Sequence, residues 1–329
     1  MNTQNQNAKI NSSKGKGRGC LVWLGRIVVS IIGLLLAGYI YEPIAEAADA
    51  KAYPMPGQLV DVGGYRLHIN CTGTGSPTVV IDAGAGDWST SWAAYVQPEL
   101  AKTTRVCTYD RAGMGWSDAG PLPRDAAQFA KELHTLLQAA NVPGPYVMVG
   151  HSLGGLTVRV FVHEYASEVD GVVLVESMNP KQATPSPEVL AQSESQSQPF
   201  SFKALLARFG IARLLVKLPS IAPTLSANEE AYYPLYIRPQ SLQTTDSEYQ
   251  GIPSSAAQAA AVKNFGDLPL IVLTGRLNDR AEWVAWQKEL LQLSSNSEQL
   301  FAENSGHIIQ ADDPKAAIAA IVKMVEMVR

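Results

Sequence analysis

The chain has 329 residues, of which 46% are apolar and only 17% charged. That composition belongs to a globular protein and not to a disordered one. A formal net charge of −4 conceals an asymmetry, because residues 1–26 hold Lys9, Lys14, Lys16, Arg18 and Arg26 and no acid, leaving 21 basic against 30 acidic residues in the remainder. An acidic body argues against a nucleic-acid partner. Three cysteines with no Cys-x-x-Cys or Cys/His cluster offer neither a disulfide-dense scaffold nor a structural metal site, so the fold must rest on its apolar core.

In chain order, a basic tail (1–19) precedes an apolar run, CLVWLGRIVVSIIGLLLAGYIY, over 20–41. At 1.5 Å per residue it is long enough to cross a bilayer. Arg26 within it sits where it can snorkel to the headgroups. The basic flank predicts that the N-terminus stays cytoplasmic and that the rest is extracytoplasmic. A signal peptide cleaved near Ala45-Glu46-Ala47, giving a secreted protein, is the rival reading. Residues 42–57, with Tyr53-Pro54-Met55-Pro56-Gly57, read as a linker.

Short apolar runs then alternate with amphipathic segments. Strands are expected at 65–71, 78–82, 105–109, 146–149, 172–175, 270–274 and 299–302. Asp125, with Gln128 three residues on, caps an expected helix whose apolar face holds Phe129, Leu133, Leu136, Leu137 and Ala140. Asp313-Pro314 opens another, with Ile318, Ile321, Met324 and Val325 on one face. Such alternation implies an α/β fold with a mostly parallel sheet covered on both sides and ligands at the carboxyl ends of its strands. Residues 181–267 break the rhythm: a polar stretch over 182–198, an apolar helical segment over 202–218, and an aromatic cluster at Tyr232, Tyr233 and Tyr236. An insertion of that length implies a helical cap between core halves 58–180 and 268–329.

Gly150-His-Ser152-Leu-Gly154 follows an apolar strand and precedes a helix-compatible segment. A serine on such a sharp turn projects its oxygen outward, the glycines allow the strained, closely packed backbone, and the Leu153 amide at the helix start can donate to a developing oxyanion. A serine needs a base. His68 falls in a strand, His134 and His163 fall on helices, and His151 beside the nucleophile should point away from its hydroxyl. His307 alone lies in a loop, after the last strand, from which it can reach Ser152.

These motifs resemble the α/β-hydrolase superfamily over about residues 58–329. Asp82-Ala-Gly84-Ala85-Gly86 falls where that family has its His-Gly oxyanion segment, though Ala83 stands in place of the histidine. Tyr109-Asp-Arg-Ala-Gly113-Met-Gly115-Trp-Ser-Asp118 resembles its Asp-Arg-x-Gly-x-Gly-x-Ser signature, and Gly306-His307 with Asp313-Pro314 resembles its histidine loop. The resemblance implies a Ser152–His307–acid triad, with Ala85 as second oxyanion donor beside Leu153. Two acids compete for the third place, Glu176 first and Asp279 as the alternative. Glu176 ends the strand after the nucleophile strand; Asp279 lies one residue past Gly275-Arg-Leu-Asn278, where the family usually carries its acid. Asp110, Arg111, Trp116 and Asp118 read as loop architecture, with Arg111 free to pair with an acid nearby. In the family's sheet the strands of Cys71 and Cys107 are neighbours, which implies a Cys71–Cys107 disulfide if the domain is exported.

A serine nucleophile suits acyl transfer, whereas the dehalogenases and epoxide hydrolases of the superfamily attack with a carboxylate. The resemblance therefore implies a membrane-tethered carboxylesterase-like serine hydrolase that acts on a small-molecule ester or amide and needs no metal or organic cofactor. An aminopeptidase of the proline iminopeptidase type, with cap acids Glu229 and Glu230 holding a substrate ammonium, and a non-catalytic ligand-binding module are the alternatives.

Overall fold

The computed structural model describes residues 14–183, 200–216 and 227–329. The first element, α1 (Lys14–Ala52), carries the apolar run on a helix whose span from Cys20 onward is long and apolar enough to cross a membrane. It does not stop at Tyr41. Residues 42–52, expected as linker, continue the helix through Pro43, because Glu42 and Asp49 both pair with Arg213 of the cap, at 2.9 and 2.7 Å, and Ala45 is buried there. Lys9 and the rest of residues 1–13 lie outside the described residues, as does most of the polar stretch 182–198.

Eight strands follow: β1 (Gln58–Asp61), β2 (Arg66–Thr72), β3 (Thr78–Asp82), β4 (Val106–Tyr109), β5 (Tyr146–His151), β6 (Val169–Val175), β7 (Leu270–Gly275) and β8 (Ser297–Ala302). They form one sheet in the order β1-β2-β4-β3-β5-β6-β7-β8, antiparallel for the first two pairings and parallel elsewhere. The edge strand β1 is too short to be read from sequence. Cys71 and Cys107 face each other across β2 and β4, and their sulfurs are bonded.

Because both faces are covered, the central strands are apolar at successive positions. On β5, Tyr146 and Met148 face a core shared with α4 (Ala126–Ala139) and α5 (Leu153–Glu164), whereas Val147 and Val149 face one shared with α12 (Pro314–Met327). The Asp125 carboxylate caps α4 by accepting from the Gln128 amide at 3.1 Å, and Asp313 caps α12 in the same way through Ala316 at 3.3 Å. The remaining core helices are short (α2, Thr90–Ala93; α3, Gln97–Leu100; α11, Ile309–Asp312), apart from α10 (Ala281–Leu290).

Between β6 and β7 the described residues form helices and no strand: α6 (Phe202–Arg208), α7 (Ile211–Leu215), α8 (Ala227–Tyr236) and α9 (Pro239–Ala261). Tyr236 of α8 stacks on Trp88 at 3.7 Å between ring centroids and donates to Asp87 at 3.1 Å. The cap is thereby seated on the loop that follows β3. Tyr232 and Tyr233 flank it on the same helix. Glu229 and Glu230 fall on α8, with the side chains of 227–231 outside the described residues.

Candidate active site

Five strands deliver side chains to one end of the sheet. Ser152 sits between β5 and α5 with φ 50° and ψ −117°, a backbone conformation that non-glycine residues rarely adopt. The surrounding glycines make that turn sterically feasible. A Cβ on Gly150 would come within 2.7 Å of the Gly154 carbonyl, one on Gly154 would come within 2.7 Å of the Ala83 carbonyl, and one on Gly155 would run into the Ser177 side chain. The turn is tied from both sides, with the Ser152 amide donating to Val175 at 3.3 Å and the Met178 amide donating to the Ser152 carbonyl at 3.0 Å.

Glu176 follows β6, fully buried and also at positive φ (42°). Its carboxylate accepts from the Gly275 amide at 2.7 Å and from Asn278 Nδ2 at 2.9 Å, and His307 Nδ1 stands 3.3 Å from the same Oε2 that Asn278 reaches. The asparagine at the end of β7 thus holds a glutamate from the neighbouring strand. Asp279, the competing acid, is exposed at the surface and makes no hydrogen bond to His307 among the described residues. The His307 ring meets Trp283 of α10 edge-on at 5.4 Å.

His151, expected only to point away from the serine, has a place of its own. It is buried, and because a carbonyl can only accept, its Nε2 donates to the His307 backbone oxygen at 2.9 Å. Gln310 reaches Nδ1 from the other side at 3.5 Å. Burial, and after it the neighbouring His307 and Arg111, lowers its pKa to about 3, so the imidazole is neutral and keeps this bond at physiological pH.

The loop after β3 carries Gly84 and Ala85 beside Ser152. Neither the Ala85 nor the Leu153 amide has an acceptor among the described residues; the latter is a first-turn amide of α5. Beneath the loop lies a buried charge cluster. Arg111 donates to Asp82 at 2.7 Å, to the Ala83 carbonyl at 2.8 Å, to the Gly84 carbonyl, and to Glu248 of α9 at 2.7 Å. Burial works to lower the pKa of its guanidinium, but the Glu248 and Asp82 carboxylates outweigh that and hold it firmly charged. Glu248 in turn accepts from the Gly86 amide at 2.8 Å. No sequence signal marks Glu248, which lies 137 residues from Arg111. The other signature residues are architectural. Asp110 pairs with buried His68 at 2.8 Å and accepts from the Ser89 and Trp116 amides; Asp118 pairs with Arg66 at 2.8 Å.

Ser152 and His307 line one cavity of about 1000 Å³ with Gly84, Ala85 and His151. Tyr236, Tyr249 and Ile252 come to it from the cap, Leu277 and Trp283 from the β7–α10 region. Asp87, Arg280 and Asp312 line the chamber as well; a hydroxyl and an imidazole share it with two unpaired amides, a set of groups that can serve acyl transfer from a small organic substrate.

Comparison with known proteins agrees with this architecture. The chain is 35% identical over 127 residues to a protein of Hormonema carpetanum named "Probable transporter efuK", a match covering 36% of this chain and 18% of that one. It is also 35% identical over 130 residues to an uncharacterized vacuolar membrane protein of Saccharomyces cerevisiae, covering 34% and 20% respectively. The chain therefore spans about a fifth of the length of these relatives. Among solved structures, the epoxide hydrolase CorEH superposes with TM-score 0.63 at 20% identity, covering 83% of this chain and 99% of that one. An esterase from Thermogutta terrifontis superposes with TM-score 0.62 at 20% identity, covering 82% and 98%. The family described as the alpha/beta hydrolase fold matches residues 77–314, from the start of β3 to the start of α12. With that match reaching across most of its length, the chain belongs to the α/β hydrolase family.

Proposed function

We propose that the protein is a membrane-tethered serine hydrolase that cleaves carboxylic esters through Ser152, His307 and Glu176. One observation carries the reading: His307 Nδ1 lies 3.3 Å from a buried carboxylate that is itself fixed by the Gly275 amide and Asn278, while the ring lines the same cavity as Ser152. An imidazole oriented in this way has its Nε2 free to act as base.

His307 Nε2 takes the Ser152 proton as the oxygen bonds to the substrate carbonyl carbon. The carbonyl oxygen becomes an oxyanion between the Leu153 and Ala85 amides. His307 then returns the proton to the leaving alcohol as the C–O bond breaks, giving an acyl-enzyme. Water, deprotonated by the same imidazole, attacks the acyl carbon; the bond from that carbon to Ser152 Oγ breaks, the imidazolium returns its proton to Oγ, and the acid leaves. Glu176 stabilises the imidazolium at both stages. A serine rather than a carboxylate at the elbow favours this chemistry over epoxide opening, even though epoxide hydrolases share the fold.

The tether is α1, with the basic flank on the cytoplasmic side and the disulfide-bearing domain outside. The ion pairs of Glu42 and Asp49 with Arg213 favour an anchor that stays attached over one removed near Ala45-Glu46-Ala47. Activity-based labelling with a fluorophosphonate tests the core of this reading. Labelling of the full chain that disappears in Ser152→Ala supports it, and a folded protein that is not labelled overturns it.

A further inference from the structure

Helix α6 is inverted for a helix at an aqueous surface. The helix packs against α9 and its buried positions hold Ala204 and Ala207, while Phe202 is 60% exposed and Leu205 also faces out. Phe200, just before the helix, is 80% exposed, and Leu214 on α7 is 66% exposed. Surface helices ordinarily turn their large apolar side chains inward. A contiguous group of them facing out marks an apolar partner.

Two observations say what that partner is. The first is position. Gly38 of α1 lies directly against the Phe209 carbonyl, and Tyr39 packs on the Phe209 ring at 6.3 Å. Both α1 residues belong to the apolar run, so the α6–α7 turn stands level with the last turns of the span. The second is charge. Between Phe200 and Val216 the chain carries Lys203, Arg208 and Arg213 and no acid, within an otherwise acidic body; Arg213 is taken up by Glu42 and Asp49, Lys203 stands 4.0 Å from Asp246 at the cap surface, and no ion pair is formed by Arg208 among the described residues. Lys203 and Arg208 are exposed. Basic and apolar groups together on short helices suit the headgroup region of an anionic bilayer.

We propose that the α6–α7 face of the cap is a second membrane contact, seating Phe200, Phe202, Leu205 and Leu214 at the acyl–headgroup boundary with Lys203 and Arg208 among the phosphates. The contact would bear on the site, because α6 packs against α9, and α9 brings Tyr249 and Ile252 to the cavity and Glu248 to the loop beside Ser152. The roof of the cavity is then held at the lipid surface. This rests on reading α1 as a bilayer span, and the experiment keeps the two apart.

Single cysteines are introduced into the full chain carrying Cys20→Ser, with Cys71 and Cys107 left disulfide-bonded. Each is labelled with the environment-sensitive fluorophore NBD. The sites are Phe202→Cys and Leu214→Cys on the proposed contact, Val29→Cys in the apolar run and Asn296→Cys before β8, at the end of the sheet away from the cap. The proteins are reconstituted into phosphatidylcholine vesicles containing a minority of phosphatidylglycerol, with or without doxyl-labelled lipid. The expected result is quenching of about twofold or more at positions 29, 202 and 214 and little at 296. Quenching at 29 with positions 202 and 214 behaving like 296 overturns the contact and leaves the tether standing. Blue-shifted but unquenched emission at 202 and 214 means that a second copy or another part of the chain covers the face, which also overturns it. A probe at 29 that is not quenched removes the span itself, and the proposal with it.

Discussion

Glu248, on cap helix α9, accepts from the Gly86 amide at 2.8 Å with one carboxylate oxygen and from Arg111 Nε at 2.7 Å with the other. A residue of the cap thus fixes the loop that carries Ala85. Removing it in Glu248→Ala leaves a buried guanidinium with only Asp82 opposite, and the expected loss is about 3–5 kcal/mol of stability by chemical denaturation. Glu248→Gln keeps the bond to Gly86 while losing the charge. Its expected signature is a smaller stability loss and a fall in kcat on a chromogenic ester of about tenfold, with KM little changed.

The two candidate acids make opposite demands on kinetics. Glu176→Gln keeps the shape of the buried side chain but removes the charge facing His307, and a fall in kcat of about 10³–10⁴ is expected. Asp279→Asn, at an exposed position, should change kcat by no more than about threefold. Reversal of that order would transfer the third role to Asp279.

Stability should depend on pH through two buried histidines of opposite sign. His151 has a folded pKa lowered to about 3 from an ordinary 6.5. Between those values the unfolded chain binds a proton that the folded chain refuses, so stability present above pH 6.5 is lost as pH falls, by on the order of 5 kcal/mol across the whole window. For His68, burial works to lower the pKa, but the Asp110 carboxylate beside it raises it on balance. Its contribution is therefore complete below the ordinary value and is lost as pH rises through the elevated one. Denaturant midpoints measured against pH should fall on the acid side, and His151→Gln should flatten that limb while leaving the alkaline one.

The Cys71–Cys107 disulfide closes a loop with a sequence separation of 36. Loop-closure entropy assigns it about 4 kcal/mol. Cys71→Ala with Cys107→Ala should lower stability by an amount of that order. Thiol counting on the denatured, unreduced protein should find Cys20 alone.

What could be read from sequence was whatever is encoded locally. Six of the central strands announce themselves as apolar runs, the turn at Ser152 by Gly150 and Gly154, and the proposed base by the position of His307 after β8. Glu176 stands ahead of Asp279 in the sequence only by its place at the end of a strand, because the hydrogen-bond set that favours it is assembled from the ends of β6, β7 and β8. Residues 42–52 were misread for the same reason. Pro43 and the polar residues around it look like the end of a helix, and only Arg213, far along the chain, shows why the helix continues. His151 and Glu248 act through backbone groups of distant loops, which leave no mark on spacing or composition.

The pairing of Arg213 with Glu42 and Asp49 has a practical bearing on how the protein can be prepared. Trimming the leader at residue 41 or later, as is customary for making a soluble sample, would take away the Tyr39 ring that packs on Phe209, and trimming it past Asp49 would also leave the Arg213 guanidinium without either partner. Such a sample should show a loosened roof over the chamber even where the sheet beneath is intact, and the proposed activity measured on it would be that of a chain that has lost one of its supports.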